Sequence, residues 1–189
     1  MNTPAHLLIG AAVFGVPGHA RIMGAALLGA VMPDVSLYVL AGVSLFVLGI
    51  PEHVVFGELY FSPAWQTVFA IDNSFLIWGA ILALALRLRW QPMTAFASAG
   101  LLHLGTDFVL HSGDGRAHFW PLSDWVFHSP VSYWDSSHHA HWIVPIAVSA
   151  CVLAYLHLWR GGISAWGRVG FGSLLVAELW VASQWLMHF

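Results

Sequence analysis

Six stretches of this chain, residues 5–17, 22–50, 67–86, 93–111, 142–159 and 169–187, are apolar almost throughout. Backbone donors and acceptors placed in hydrocarbon must be satisfied within their own segment, so each long run predicts a helix crossing a bilayer. A crossing takes about 20 apolar residues, which the four later runs approach or reach. The first run is short and predicts a tilted, re-entrant or packed-in helix. We therefore expect an all-α integral membrane bundle of five to six transmembrane helices, residues 1–189 forming one transmembrane domain. Composition agrees: 59% of residues are hydrophobic, 8% are charged, and lysine is absent.

Several classes of function drop out. A net charge of −3 without any basic run argues against nucleic acid as a partner. The single Cys151 excludes an intrachain disulfide and a multi-cysteine metal site, and reads as a small residue in an apolar stretch. The first residues carry no positive n-region of a signal peptide, so the first apolar run reads as retained.

The second run is 29 residues long and is interrupted by Met32-Pro33-Asp34. Proline lacks a backbone donor and biases the preceding residue away from helix. A broken or kinked helix is expected there, with Asp34 opening its second half. Five of the six arginines, Arg21, Arg87, Arg89, Arg160 and Arg168, border alternate turns, and only Arg116 falls opposite. The positive-inside rule then predicts a cytoplasmic face carrying those five, with both termini and the loops 51–66 and 112–141 facing outward, to the periplasm in a bacterium. Tryptophans and other aromatics recur through 112–141, a histidine- and tryptophan-rich segment expected to lie on the membrane surface.

Between His103 and His141 lie seven of the twelve histidines and four of the six aspartates. This stretch opens with His103-x-x-x-Asp107-x-x-x-His111, partly inside an apolar run. Ionisable groups in such a setting are costly and mark functional sites, and imidazole with carboxylate suits zinc and similar ions. Helical i, i+4 spacing puts His103 and Asp107 on one face, with His111 a turn further on. They can share an ion, or Asp107 can orient His103 from behind. The competing reading is a buried His–Asp hydrogen bond that only pins two helices. His6 and Asp34 are isolated in apolar surroundings and join the metal candidates. His138-His139-x-His141 is a dense run, with His139 a further candidate ligand. Asp72-Asn73-Ser74 reads first as a helix cap, with Asp72 a candidate general base beside His138.

The order His6, Pro33-Asp34, Ser74, His103-x-x-x-Asp107, Trp120-Pro121 resembles the bacterial membrane-bound metal-dependent hydrolases of the YdjM-like group (domain of unknown function 457). That pattern has an early histidine, Pro-Asp-x-Asp, His-Arg-Gly-x-Thr-His-Ser, His-x-x-x-Asp and Trp-Pro. The similarity spans residues 3–121 and implies a small helical membrane protein with a metal-centred hydrolytic site. Some relatives carry a cobalamin-biosynthesis label, and His-x-x-x-Asp is also similar to an element of zinc-dependent phospholipase C. Two departures stand out: Ser36 replaces the second aspartate, and Asp72-Asn73-Ser74 stands where two histidines are expected. Either His111, His118 and the 138–141 run replace them, or the activity has changed or vanished.

The expectation is a metal-dependent hydrolase acting on a lipid or lipid-linked phosphoester at the membrane surface. A divalent ion, zinc first, would be held by His6, Asp34, His103 and Asp107, with His111 and His139 as additional ligands. Zinc acidifies water to a pKa of about 7 and polarises the attacked bond. The alternative is a metal- or proton-binding membrane protein, for transport or sensing, without turnover. A transporter is expected to show paired broken helices, and only one break, near Pro33, is present in the sequence.

Overall fold

A computed structural model describes residues 1–188, of which the side chains to Met187 are considered below. Helix accounts for 74% of the chain, and among the described residues there are no strands. The helices are α1 (Thr3–Phe14), α2 (Ala20–Gly42, continued by a π-helical turn, Val43–Val47), the single turn α3 (Glu52–Val54), α4 (Pro63–Asp72), α5 (Phe75–Arg87), α6 (Gln91–Leu110), α7 (Ala140–Arg160) and α8 (Ala165–His188). Five spans are long and apolar enough to cross a membrane: Ala20–Val47, Pro63–Arg87, Gln91–Leu110, Ala140–Arg160 and Ala165–Met187. The protein is an integral membrane protein of the all-α class.

Helix α1, at 12 residues and about 18 Å, is too short for a crossing and instead occupies the centre. It packs against α2, α6, α7 and α8, burying Ala5, His6, Leu8, Gly10 and Ala11. Small residues let these helices approach closely. A Cβ on Gly10 would stand 2.8 Å from that of Ala30, and one on Gly29 would stand 2.0 Å from the Phe96 carbonyl oxygen. Packing of this kind drives association where no hydrophobic effect operates between helices. The opposite side of α2 carries the half-exposed row Leu28, Val35, Val39, Val43 and Phe46, spaced to line one lipid-facing stripe.

The expected break at Pro33 does not occur, since α2 runs through it. Proline still removes one donor of the i→i−4 ladder, but neighbouring elements engage the carbonyls around it. His103 Nδ1 meets the Ala30 carbonyl at 2.7 Å, and Asn73 Nδ2 donates to the Pro33 carbonyl at 3.4 Å. The interruption falls instead in the third span, at Asn73-Ser74 between α4 and α5. The cap of α5 is Ser74 rather than Asp72: its Oγ accepts from Ile77 N at 3.3 Å.

The segment after α6 folds back onto that interruption. Phe75 N donates to the His118 carbonyl at 2.9 Å, His118 Nδ1 donates to the Asn73 carbonyl at 2.8 Å, and Ser74 Oγ donates to the Trp120 carbonyl at 2.5 Å. Its aromatics pack inward more than surface anchoring requires: Phe127 stacks on Phe108 at 4.7 Å, and Phe119 lies 5.9 Å from Phe75. Leu122 and Trp125 remain exposed. Ser74→Ala is expected to lower thermal stability by about 1 kcal/mol for the cap, with more for the stranded Trp120 carbonyl. A melting curve in detergent indistinguishable from wild type would contradict this.

The turns at residues 15–19, 88–90 and 161–164 gather at one end. Val16 and His19 line a cleft with Arg89 and Gln91, and a second with Gly162 and Ser164. Arg21, Arg87, Arg89, Arg160 and Arg168 border these turns, which bears out their grouping on one side. Segments 50–62 and 111–139 lie at the other end, with Arg116.

Candidate metal centre

Three helices supply the polar cluster. Thr3 to His6 come from the first turns of α1, Asp34 from the middle of α2, and His103 and Asp107 from the last turns of α6. The carboxylate of Asp107 is the hub. His6 Nε2 stands 3.0 Å from Asp107 Oδ1 and His103 Nε2 3.1 Å from Oδ2. Asp34 Oδ1 lies 3.6 Å from His103 Nε2, and its Oδ2 accepts from Thr3 Oγ1 at 2.9 Å. The two imidazoles stack face to face, 3.6 Å apart and inclined by 11°. The Met1 amino group also contacts Asp107.

Hydrogen bonding behind each ring determines which nitrogen carries the proton. The Ala30 carbonyl can only accept, so His103 holds its proton on Nδ1. Thr106 Oγ1 gives its own hydrogen to the backbone of α6, at 2.8 Å to His103 O. It is thus left as an acceptor for His6 Nδ1, 3.4 Å away. With both rings neutral, each Nε2 atom would present its lone pair to the Asp107 carboxylate. Neither makes a hydrogen bond, although each is fully enclosed and within 3.1 Å of a carboxylate oxygen. An enclosed polar atom left without a partner costs about 1–3 kcal/mol, so a structural pin made of neutral rings would be poorly built here. A cation shared by the three side chains removes the conflict. Ligating histidines generally donate their other N–H to a backbone carbonyl or similar group, as His103 does. The ligand atoms of His6, His103 and Asp107 lie within 4.8 Å of one another, and this group could hold a metal ion.

His111 extends the cluster. Its Nε2 is 3.4 Å from Asp107 Oδ1, and its Nδ1 is 2.8 Å from Asp114 Oδ2. Burial disfavours the charged imidazole, but the bonds to Asp107 and Asp114 outweigh it and raise the His111 pKa. Burial likewise opposes ionisation of Asp114, and His111 beside it holds that carboxyl below its ordinary range.

Beside the cluster lies a cavity of about 210 Å³, lined among others by Asp34, Asp107, His111, Asp114, Arg116 and His118. His118 is buried, and its Nδ1–H is committed to Asn73 O. Its Nε2 has no protein partner. Burial pushes the His118 pKa down, so it is neutral near pH 7. A histidine whose folded pKa is depressed contributes stability that is present above its unfolded value, about 6.5, and lost as pH falls below it. Wild-type protein should therefore lose melting temperature between pH 7.5 and 5.5, and His118→Gln should lose less. Equal losses in the two proteins would contradict the assignment.

Of the residues singled out in the sequence, His6, Asp34, His103, Asp107 and His111 meet at one place. Asp72, His138 and His139 do not line the cavity. Asp72 engages Trp78 Nε1 through its carbonyl, at 2.7 Å. His138 is half-exposed and pairs with Asp135 at 2.8 Å. His139 takes a left-handed backbone, φ 64°, at the start of α7, with its ring 6.2 Å from that of His141. His118, a candidate replacement for the missing histidines, lines the cavity; Asp114 and Arg116 have no role from sequence alone, because their segment has no periodicity and is placed by long-range bonds near the start of α5. Cys151 is a buried core residue, as expected. Comparison of the chain with protein-family models, curated proteins and solved structures finds no match.

Proposed function

We propose that this protein is a metal-dependent hydrolase of the membrane, acting on a lipid or lipid-linked phosphoester at the bilayer surface. The observation that carries this reading is the pair of enclosed Nε2 atoms, of His6 and His103, aimed at one carboxylate beside a polar cavity. His6, His103 and Asp107 would hold the ion, with Asp34 within reach of a fourth position and His111 backed by Asp114. Imidazole and carboxylate donors in this number suit zinc. When bound, such an ion supplies Lewis acidity toward a phosphoryl oxygen and toward water.

The rest of the chemistry falls to the chain. His118 lines the cavity with its Nδ1–H committed to Asn73, which leaves Nε2 as the nitrogen suited to accept the proton of an attacking water. Asp72 and His138, outside the cavity, are not placed for that role. Asp107 sits three residues before the end of α6, about 5 Å below it, so the cavity lies at headgroup depth. Exposed Leu122 and Trp125 near that end suit contact with lipid. The grouping of five arginines at the opposite end favours insertion in a bacterial inner membrane with the cavity facing the periplasm.

The test is turnover. Detergent-purified protein loaded with zinc should hydrolyse phosphomonoester or phosphodiester reporters, or phospholipid in mixed micelles. His103→Ala should reduce the rate by roughly a hundredfold or more. His118→Gln should lower kcat on the order of a hundredfold while zinc content is retained. Bound zinc without turnover on any of these substrates would favour the binding or sensing alternative.

A further inference from the structure

We propose that Arg116 is a recognition site for a phosphoryl oxyanion, the substrate group presented to the metal centre; this deepens the hydrolase reading and rests on it. Arg116 is the one arginine at the cavity end of the bundle. Its guanidinium lies over the rings of Phe69 and Tyr60, at 4.3 and 4.7 Å, which fixes its plane. Nη1 is enclosed by protein and makes no hydrogen bond. Among the described residues Arg116 forms no ion pair, although Asp34, Asp107 and Asp114 line the same cavity.

Enclosing a guanidinium nitrogen without an ion-pair partner is unfavourable, and the carboxylates nearby are already engaged with histidines. The fork geometry of guanidinium matches two oxygens of a phosphoryl group. The backbone holds the side chain in place: His118 N donates to the Arg116 carbonyl at 3.0 Å, and His118 is itself bonded to Asn73. The cavity volume of about 210 Å³ corresponds to some seven waters at roughly 30 Å³ each, which is room for one phosphoryl head. Asp107 and His111 line the same cavity, so a phosphoryl group there would be held between a cation at Asp107 and the guanidinium. Clamps of this composition stabilise phosphoryl charge as it redistributes.

The proposal is tested by equilibrium dialysis of labelled inorganic phosphate against the full-length protein in detergent, chelator-treated and zinc-loaded. R116Q should weaken phosphate binding roughly tenfold or more in both states while zinc content stays at the wild-type level. R116K, which keeps the charge and the ring contacts but not the fork, should lie between R116Q and wild type, and serves if R116Q does not fold. Phosphate binding at wild-type strength in either folded variant would overturn the proposal. Competition with glycerol phosphate and with short-chain phosphatidic acid separates a soluble phosphoester from a lipid headgroup; competition by either supports the site, and competition by neither overturns it. Arg116-dependent phosphate binding in protein that takes up no zinc would sustain this proposal and defeat the metal reading. Zinc uptake with phosphate binding indifferent to Arg116 would do the reverse.

Discussion

Asp107→Ala protein is expected to purify with its zinc content reduced to background, whereas wild type carries about one ion per chain. The magnitude follows from geometry. Among the described residues Asp107 is the only side chain that meets His6, His103 and His111 at once, at 3.0, 3.1 and 3.4 Å. Removing groups that merely orient ligands costs 10–100-fold in metal affinity, and removing the shared ligand should exceed that range. His103→Ala should behave alike. His139→Ala, outside the cavity, should retain the metal. Mass-spectrometric metal analysis of the four proteins at matched purity decides the matter. Zinc retained by both Asp107→Ala and His103→Ala would remove the ion from this cluster and leave a set of buried hydrogen-bonding groups.

The second large effect concerns the packing of α2 on α6. Gly29→Val should abolish folded, monodisperse protein, because the new Cβ would lie 2.0 Å from the Phe96 carbonyl oxygen and 2.7 Å from its carbon. Backbone atoms on a neighbouring helix cannot rotate away as a side chain can, so the helices would have to separate. Overpacking typically costs 1–3 kcal/mol, and a clash with backbone belongs at or above the upper end. Separation would also move Ala30 from His103 and break the hydrogen bond that holds the ring's tautomer. Gly24→Ala on the same helix is the control, since nothing lies within 4 Å of a Cβ there. It should be neutral, or stabilising by up to about 1 kcal/mol through helix propensity. Fluorescence-detected size-exclusion profiles distinguish the two. A normal profile for Gly29→Val would mean that this helix pair is not packed as described.

Much of the site was legible from the chain because its chemistry conflicts with its surroundings. His6, Asp34, His103 and Asp107 stand out as ionisable residues in apolar runs, and helical spacing alone places the last two together. The same reasoning overstated other features. Proline at position 33 reads as a break or kink, yet α2 runs through it. In the third run Asp72-Asn73-Ser74 reads as a helix cap, and α5 does begin there with Ser74 as its cap, while the returning loop satisfies the exposed backbone. The 138–141 histidines form a dense local pattern, but density along the chain does not bring side chains to a cavity. His118 and Arg116, single polar residues in an aperiodic loop, are carried there by bonds to α5.

What residue order determined by itself is the solvent and the secondary structure: lipid demands that backbone groups be satisfied locally, so long apolar runs become helices wherever they pack. Which imidazoles face which carboxylates was decided only in the tertiary structure. Contacts between α1, α2 and α6 depend on glycine and alanine clearances across helices, and the tautomer of His103 depends on a carbonyl 73 residues away. Interactions of that kind are short in space and distant in sequence, and no local pattern encodes them.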